Sequence, residues 1–536
     1  MRNQLVLFLS LLASVLLLAS IPLVATGADP EPVNVIPRPE TMEVRESHFT
    51  IGLATAIVCD PQSRQEAAYL AELLRTPTGF ELPIRETAPN APDEDAIDCI
   101  VLRTVAGKEN LGAEGYELKV LADRVLIKAP TATGVFYAIQ TLRQLLPAAV
   151  ESECRTIGVD WFVPCVEIED QPRYGWRGLM LDPGHNFLTV EFTKRYIDVM
   201  ALYKLNRLHW HLTDMGWAIE IKQYPELTNI EKWPPVAPRW RRVYGKCTQG
   251  FYSQEDVREI VAYAATRHVI VVPEIEVPSH SSAALACYPE LLCPNWTSPV
   301  EKVDSYFHYP MNYCAGNEKS VEFLEGVLSE VIELFPGPYI HIGGDERVRG
   351  AWETCPRCQA RMKELGLKNE DELQSHFIKR IAQFVQDKDR RVIGWTEIME
   401  GGLAPDAIVQ SWLDPKDAIE AANQGHDVIV STHQSCYLNY PGVTLEKAYA
   451  FEPTPPELSP EAAKHILGVE PCLWGFGQHR HDELVFPRLC AYAEVGWSSK
   501  ERRDWESFKT RLKPQGRRLD ELGINYRRDP VFAEKP

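Results

Sequence analysis

Pro338-Tyr339-Ile340-His341-Ile342-Gly343-Gly344-Asp345-Glu346 is the stretch on which the reading of this chain turns. Its first five residues form a short apolar run that predicts a buried strand. The two glycines let the backbone turn tightly, and two acids follow at the turn. Adjacent carboxylates at the mouth of a strand repel each other and are costly to desolvate, so the chain gains no stability from placing them there. Such a pair suits acid–base chemistry, with one group held charged and its neighbour kept protonated. The plainer alternative is a solvated loop that happens to contain Asp-Glu.

Working outward, the chain after Arg173 alternates strand and helix. Eight strand candidates stand out: Arg177–Asp182, Arg207–Asp214, His268–Glu276, Tyr339–Asp345, Arg391–Trp395, Ala407–Trp412, Asp427–Thr432 and Ile466–Trp474. Between several of them lie helices with apolar residues three and four apart, as in Glu318 to Phe335 and Asp371 to Lys388. Ser253 and Asp256 make a capping pair for a third. Alternating β and α predicts a parallel sheet, and eight units predict a closed (β/α)8 TIM-type barrel. Its strand ends deliver Asp182, Asp214, Glu276, Asp345-Glu346, Trp395, Trp412, Tyr437 and Trp474. Acids and aromatics at the carboxyl ends of barrel strands mark an active site, and that mixture suits a sugar. Asn34 to about Pro147 reads instead as a smaller α/β domain of mixed strands and helices. It contains a strand pair turning at Ala122-Asp123 and a helix over Thr133–Leu146. A linker strand over Ile157–Pro172 leads out of it. The expected division is a leader over 1–28, the non-catalytic α/β domain over 29–172, and the barrel with a C-terminal helical tail over 173–536.

The leader rests on composition. Arg2 is the only charge before Ala28, Leu5 to Val24 is apolar apart from a few serines and Pro22, and small residues follow at Ala25-Thr-Gly-Ala28. The expectation is export to a periplasmic or extracellular space, or a membrane anchor if the segment stays uncleaved. A net charge of −19 with interspersed acids and bases argues against a nucleic-acid or anionic-membrane partner. Thirteen cysteines are an odd number. Cys287 and Cys293 bracket a short loop and are placed to bridge. Cys355-Pro-Arg-Cys358 is a lone CxxC with no second pair nearby, read as two ordinary helix or loop cysteines.

The motifs together resemble the family 20 glycoside hydrolases, the β-N-acetylhexosaminidases. Glu114-Gly-Tyr-Glu-Leu and Gly134-Val-Phe-Tyr-Ala-Ile-Gln resemble the domain that precedes the barrel in that family. Trp176-Arg-Gly-Leu-Met-Leu-Asp182, Leu208-His-Trp-His-Leu-Thr-Asp214, Pro273-Glu-Ile-Glu-Val-Pro-Ser-His280 and His341–Glu346 resemble its barrel motifs in order, and Ala493-Glu-Val-Gly-Trp497 its C-terminal signature. The resemblance implies an exo-acting enzyme that releases terminal β-linked GlcNAc or GalNAc with retention. The substrate's own acetamido group is the nucleophile and an oxazolinium ion the intermediate, an exception to the two-carboxylate scheme. It implies Glu346 as acid then base, Asp345 as the acceptor for the acetamido N–H, and Tyr437 on the acetamido carbonyl. Trp395, Trp412 and Trp474 would wall the pocket, and Arg177 would bond the 3- and 4-hydroxyls. Asp214, Glu276 and His280 would form a charged shell. No metal and no organic cofactor is implied; the partner is a carbohydrate, an N-acetylhexosaminide of glycans, chitin fragments or mucins.

Departures from the family pattern carry further expectations. His185-Asn186 stand where relatives usually have Arg-His. Asn439 and Phe476 replace two acids that commonly bond the 4- and 6-hydroxyls. His479, Arg480 and His481 follow directly and are candidates for contacts with a 6-substituent, so that 6-sulfated GlcNAc is tolerated. A contrasting reading is a catalytically weak carbohydrate-binding protein, against which intact Asp345, Glu346 and Tyr437 argue. Two-carboxylate β-glycosidases on this scaffold are disfavoured because their acids sit on different strands.

Overall fold

The computed structural model describes residues 33–89, 91–93, 96–234, 248–295 and 312–533. The expected leader, 1–28, lies outside them. No helix among the described residues is long and apolar enough to cross a membrane. A seven-stranded mixed sheet comes first. In spatial order its strands are Thr41–Thr50, Phe162–Asp170, Tyr116–Val120, Arg124–Ala129, Cys99–Thr104, Ala56–Cys59 and Ile84–Glu86. Tyr116–Val120 and Arg124–Ala129 pair antiparallel about the anticipated turn, with Val120 opposite Val125. Helices Arg64–Thr78 and Ala132–Leu145 supply apolar faces to the same core. The expected linker strand is a full member of this sheet, because Phe162–Asp170 is paired on both edges.

Eight parallel strands then close into a barrel: Trp176–Leu181, Arg207–His211, Ile270–Glu274, Tyr339–His341, Arg391–Trp395, Ile408–Ser411, Val428–Val430 and Ile466–Val469. Closure runs through Gly468 opposite Trp176, and the eighth strand resumes at Cys472-Leu473 against Met180 and Leu181. Side chains alternate along each strand, and the inward set is layered. Trp176, Val272, Ile393, Ile408 and Ile429 fill the amino-terminal end. Above them lies a polar layer in which Glu274 accepts from His209 at 3.0 Å, Trp395 Nε1 at 2.7 Å and His211, with His341 Nδ1 2.9 Å away. Glu470 likewise accepts from Trp176 Nε1, His209 and Gln410.

Trp176 and Met180 point inward, so Arg177 points out. It is buried against the α/β domain, where its guanidinium bonds Glu114 at 2.9 Å and the carbonyls of Tyr174 and Lys204. The expectation that Arg177 bonds the sugar is corrected by this parity: it sits on the outer face, at the end of the barrel remote from Asp345. Lys204 pairs with Asp170 at 2.9 Å beside it, and Trp497 Nε1 bonds the same carboxylate. The expected Cys287–Cys293 bridge is also absent. Both thiols are free, and Cys293 faces Cys358 instead.

Candidate active site

The carboxyl ends of the barrel strands gather the anticipated acids and aromatics, while Arg177 lies outside them and His479, Arg480 and His481 lie on a later helix. The turn after the fourth strand is held by Gly343 and Gly344, at φ 64° and 100°. A Cβ on Gly343 would lie 1.8 Å from a Glu276 oxygen, and one on Gly344 would lie 2.2 Å from Ile398. Both positions therefore require glycine for conformation and for space. The turn points Asp345 into the barrel mouth, where its side chain is 12% exposed, while that of Glu346 stays 38% exposed. One carboxylate is thus enclosed and its neighbour faces solvent.

His280 connects the pair to the second strand. Its Nδ1 lies 3.0 Å from Asp214, and its Nε2 lies 3.5 Å from Asp345 and 3.4 Å from Glu346. The surrounding carboxylates, Asp214 first and Asp345 next, outweigh burial and raise its pKa well above the imidazole range, so it is a cation. Asp214 is held well below the carboxylate range by His185 and His280, which overcome its burial. Glu276 lies in the same cluster, in a more enclosed position. Its two oxygens are buried without a hydrogen bond among the described residues. Burial first, then Asp345 and Glu274, push its pKa well up, which favours the neutral form.

Aromatic rings enclose the space beside Asp345. Trp412 and Tyr437 stand parallel, with centroids 5.9 Å apart and 2° between planes; Trp474 lies 5.7 Å from Trp395 and 5.8 Å from Tyr437. Trp395 is fixed from below by its bond to Glu274. Asp345 Oδ1 is buried there and accepts no hydrogen bond from any described residue. A buried acceptor left in that state is costly unless a ligand donates to it.

Two residues beyond the anticipated set belong to this site. Glu397 accepts from Trp412 Nε1 at 2.9 Å, and burial with Asp345 nearby pushes its pKa to about 8. It follows Trp395 by two positions, so the strand-end pattern contained the signal. His185 is the other: Nδ1 is 2.9 Å from Asp182 and Nε2 is 3.4 Å from Asp214, with the ring edge-on to Trp474. It is the basic side chain that the first strand brings to the mouth. Asn439 is half-buried with Oδ1 unbonded among the described residues. Phe476 is packed into the main core.

The three candidates for 6-substituent contacts separate. All lie on the helix Gln478–Val485, where Arg480 is half-exposed and 3.5 Å from Glu483, and His479 is exposed. His481 is buried against Phe192 and Tyr196, and burial lowers its pKa to about 4. It is therefore neutral and removed from solvent, which corrects its expected part as a cationic contact. A separate cleft of about 860 Å³ at the amino-terminal end, lined in part by Glu114, Arg207 and His268, contains none of this constellation.

Comparison with known proteins places the chain. The model of glycosyl hydrolase family 20, domain 2, matches residues 32–171, and that of the glycosyl hydrolase family 20 catalytic domain matches residues 174–500. A β-hexosaminidase of Porphyromonas gingivalis is 41% identical over 92% of this chain; the chain spans 64% of that relative's length. The exo β-N-acetylglucosaminidase of Vibrio harveyi, solved with N-acetylglucosamine, superposes with a TM-score of 0.81 at 32% identity, covering 92% of this chain and 78% of that one. The β-N-acetylhexosaminidase of Streptomyces coelicolor gives 0.78 at 34% identity, covering 94% and 99%.

Folding raises the Asp345 pKa from 3.8 to about 7, through burial first and then Glu346 and Glu274 against the opposing His280. The unfolded chain therefore releases this proton at lower pH than the folded one. Stability contributed by the neutral form is lost as pH rises from about 4 to about 7. Asp345→Asn removes that loss, so its Tm relative to wild type rises more at pH 7.5 than at pH 4.5. Calorimetry at the two pH values measures it; equal Tm differences would contradict the assignment.

Proposed function

The chain belongs to glycosyl hydrolase family 20 and is a glycoside hydrolase; on that premise we propose that it is an exported, exo-acting β-N-acetylhexosaminidase that releases terminal β-linked GlcNAc or GalNAc by substrate assistance. One observation carries the reading: Asp345 Oδ1 is a buried, unbonded acceptor inside a box of Trp395, Trp412, Tyr437 and Trp474. An acetamido group fits that environment, with its methyl against the rings and its N–H donating to Asp345. The Vibrio harveyi complex with N-acetylglucosamine supports the same sugar here. The leader composition supports export.

The chemistry follows from the asymmetry of the pair. Asp345, enclosed, orients the acetamido group and balances positive charge as its carbonyl oxygen attacks C1. Glu346, open to solvent, donates its proton to the leaving oxygen; the C1–O bond breaks and the aglycone departs as an alcohol. Water then enters on the open side, gives its proton to Glu346 and opens the oxazolinium ring, so the configuration at C1 is retained. Tyr437, stacked on Trp412, is the hydroxyl that faces the acetamido carbonyl. Protonated His280 spans Asp214 and the acid pair and stabilises whichever carboxylate is ionised. His185 takes the place assigned by sequence to Arg177 and bonds the ring hydroxyls from the first strand.

Glu346→Gln loses ~10² to 10⁴-fold in turnover of a natural disaccharide, and less on aryl glycosides that need little protonation. In the same assay the wild type cleaves 4-nitrophenyl β-GlcNAc and leaves 4-nitrophenyl β-glucoside nearly untouched, because a 2-hydroxyl offers no internal nucleophile. Comparable rates on the two sugars would overturn the mechanism.

Arg177 and His185 divide fold from binding. His185→Ala raises KM for β-GlcNAc and also lowers Tm, because the buried Asp182 and Asp214 lose that partner. Arg177→Ala removes the buried guanidinium that ties the half-buried Glu114 to the carbonyls of Tyr174 and Lys204 and lowers Tm, with KM unchanged in the folded fraction. Steady-state kinetics beside thermal melts tell these apart, and a raised KM in Arg177→Ala would restore it to the site.

Asn439 and Phe476 carry the finer specificity. With neither position acidic, an anionic 6-substituent escapes a like-charge clash of several kcal/mol, and exposed Arg480 and His479 stand on the helix that follows. The enzyme accepts 6-sulfated β-GlcNAc on this reading, with kcat/KM comparable to the plain sugar, and Asn439→Asp depresses that ratio. A wild-type ratio far below one, unchanged by the substitution, would exclude it.

A further inference from the structure

Four cysteines that the reaction does not use lie together. Cys293 follows the short helical turn Pro289–Leu291, Cys314 precedes the helix Glu318–Leu334, and Cys355 and Cys358 start the helix Pro356–Leu365. These segments belong to the excursions after the third and fourth barrel strands. All four sulfurs lie within 4.8 Å of one another, with Cys293–Cys358 at 3.9 Å, Cys314–Cys355 at 3.7 Å and Cys314–Cys358 at 3.7 Å. A disulfide requires about 2.05 Å. Four thiolates placed tetrahedrally about Zn²⁺ at ~2.3 Å have sulfur–sulfur edges of about 3.8 Å, which is the spacing found.

The surroundings suit bound thiolates. Every one of the four residues is at most 3% exposed. Cys355 is the N-cap of its helix with Pro356 in the first turn, so the positive end of the helix dipole faces the sulfurs and favours their ionised form. The Gly316 amide bonds the sulfurs of Cys314 and Cys358. A Cβ on Gly316 would lie 2.2–2.4 Å from the backbone of Arg357 and Cys358, so only glycine lets the two strands of backbone close around the cluster. Trp352 Nε1 donates to the carbonyl of Tyr313, the residue before Cys314, at 2.9 Å.

We propose that Cys293, Cys314, Cys355 and Cys358 form a structural zinc site that clamps the two excursions flanking the Asp345-Glu346 turn. Four ligands from three stretches of chain close the coordination sphere, as structural zinc requires, and leave no position for water or substrate. The clamp reaches the turn directly. Asn312, two residues before Cys314, bonds the backbone of Val348 through both its amide nitrogen and its oxygen. The isolated CxxC of the sequence is thus half of a site whose other half lies 41 and 62 residues before Cys355 in the chain.

The test uses the full chain purified without added metal or reductant. Inductively coupled plasma mass spectrometry is expected to find about one zinc per chain. Non-reducing peptide mapping is expected to find these four cysteines as thiols after denaturation in chelator. Zinc released from the wild type by a mercurial, followed on a chromophoric chelator, is expected to lower Tm by several degrees, with recovery on thiol and zinc return. Cys358→Ser is expected to lose the metal. Should that variant fail to fold, the wild-type metal content and thiol map still decide. Two disulfides among the four cysteines overturn the proposal, as does negligible zinc. Iron with visible thiolate absorption overturns the choice of metal. Zinc undiminished in a folded Cys358→Ser places the ion elsewhere, for example at His209, Glu274 and His341.

Discussion

Glu274, buried on the barrel axis, accepts hydrogen bonds from His209, His211 and Trp395 and lies 2.9 Å from His341, and the geometry above it depends on that carboxylate. A lone charge at this depth would be prohibitively costly, and a satisfied network of donors is what makes it tolerable. Its pKa lies well below the carboxylate range because His341, His211 and His209 together outweigh burial. Through Trp395 it fixes one wall of the aromatic box. Through its charge it helps keep Glu276 and Asp345 from ionising freely.

The site is a vertical arrangement of acids interleaved with imidazoles. Asp214 is held low and His280 high, each by the other's charge, while the Glu276 pKa is pushed well up and that of Asp345 to about 7. Each assignment follows from who faces whom, since all four are buried. This arrangement stores instability where the chemistry needs it: an enclosed carboxylate with an unbonded oxygen costs the empty protein free energy that a donating ligand returns. The apolar layer beneath, from Trp176 to Ile429, and the closed parallel barrel offset that cost.

Much of this was legible from the chain. Alternating apolar runs and helices located all eight barrel strands, and the strand ends named Asp214, Glu276, Asp345, Trp395, Trp412 and Trp474 before any geometry. Arg177 failed because a motif match overrode the pleat. It is five positions from Asp182, and residues an odd number apart on one strand face opposite ways. Glu274 stands two positions before Glu276 and so shares its face, and Glu397 follows Trp395 by two; spacing places both at the strand ends, while only packing shows what they bond. His481 was lost for a different reason. A helix turn decides which of three consecutive polar side chains meets solvent, and no short-range pattern fixes the rotation of that helix against the barrel.

The sequence by itself determined the fold class, the strand count, the acid pair and the aromatic lining, because these are written in short-range periodicity and in residues next to one another. The tertiary structure alone decided which carboxylates are charged and that His185 rather than Arg177 faces the mouth. It alone brought Cys293 and Cys314 to the CxxC of Cys355 and Cys358. Protonation is set by burial and by charges across the barrel. Convergence of distant cysteines is set by how two loops pack. Both depend on distances between residues far apart in the chain, which spacing along it does not encode.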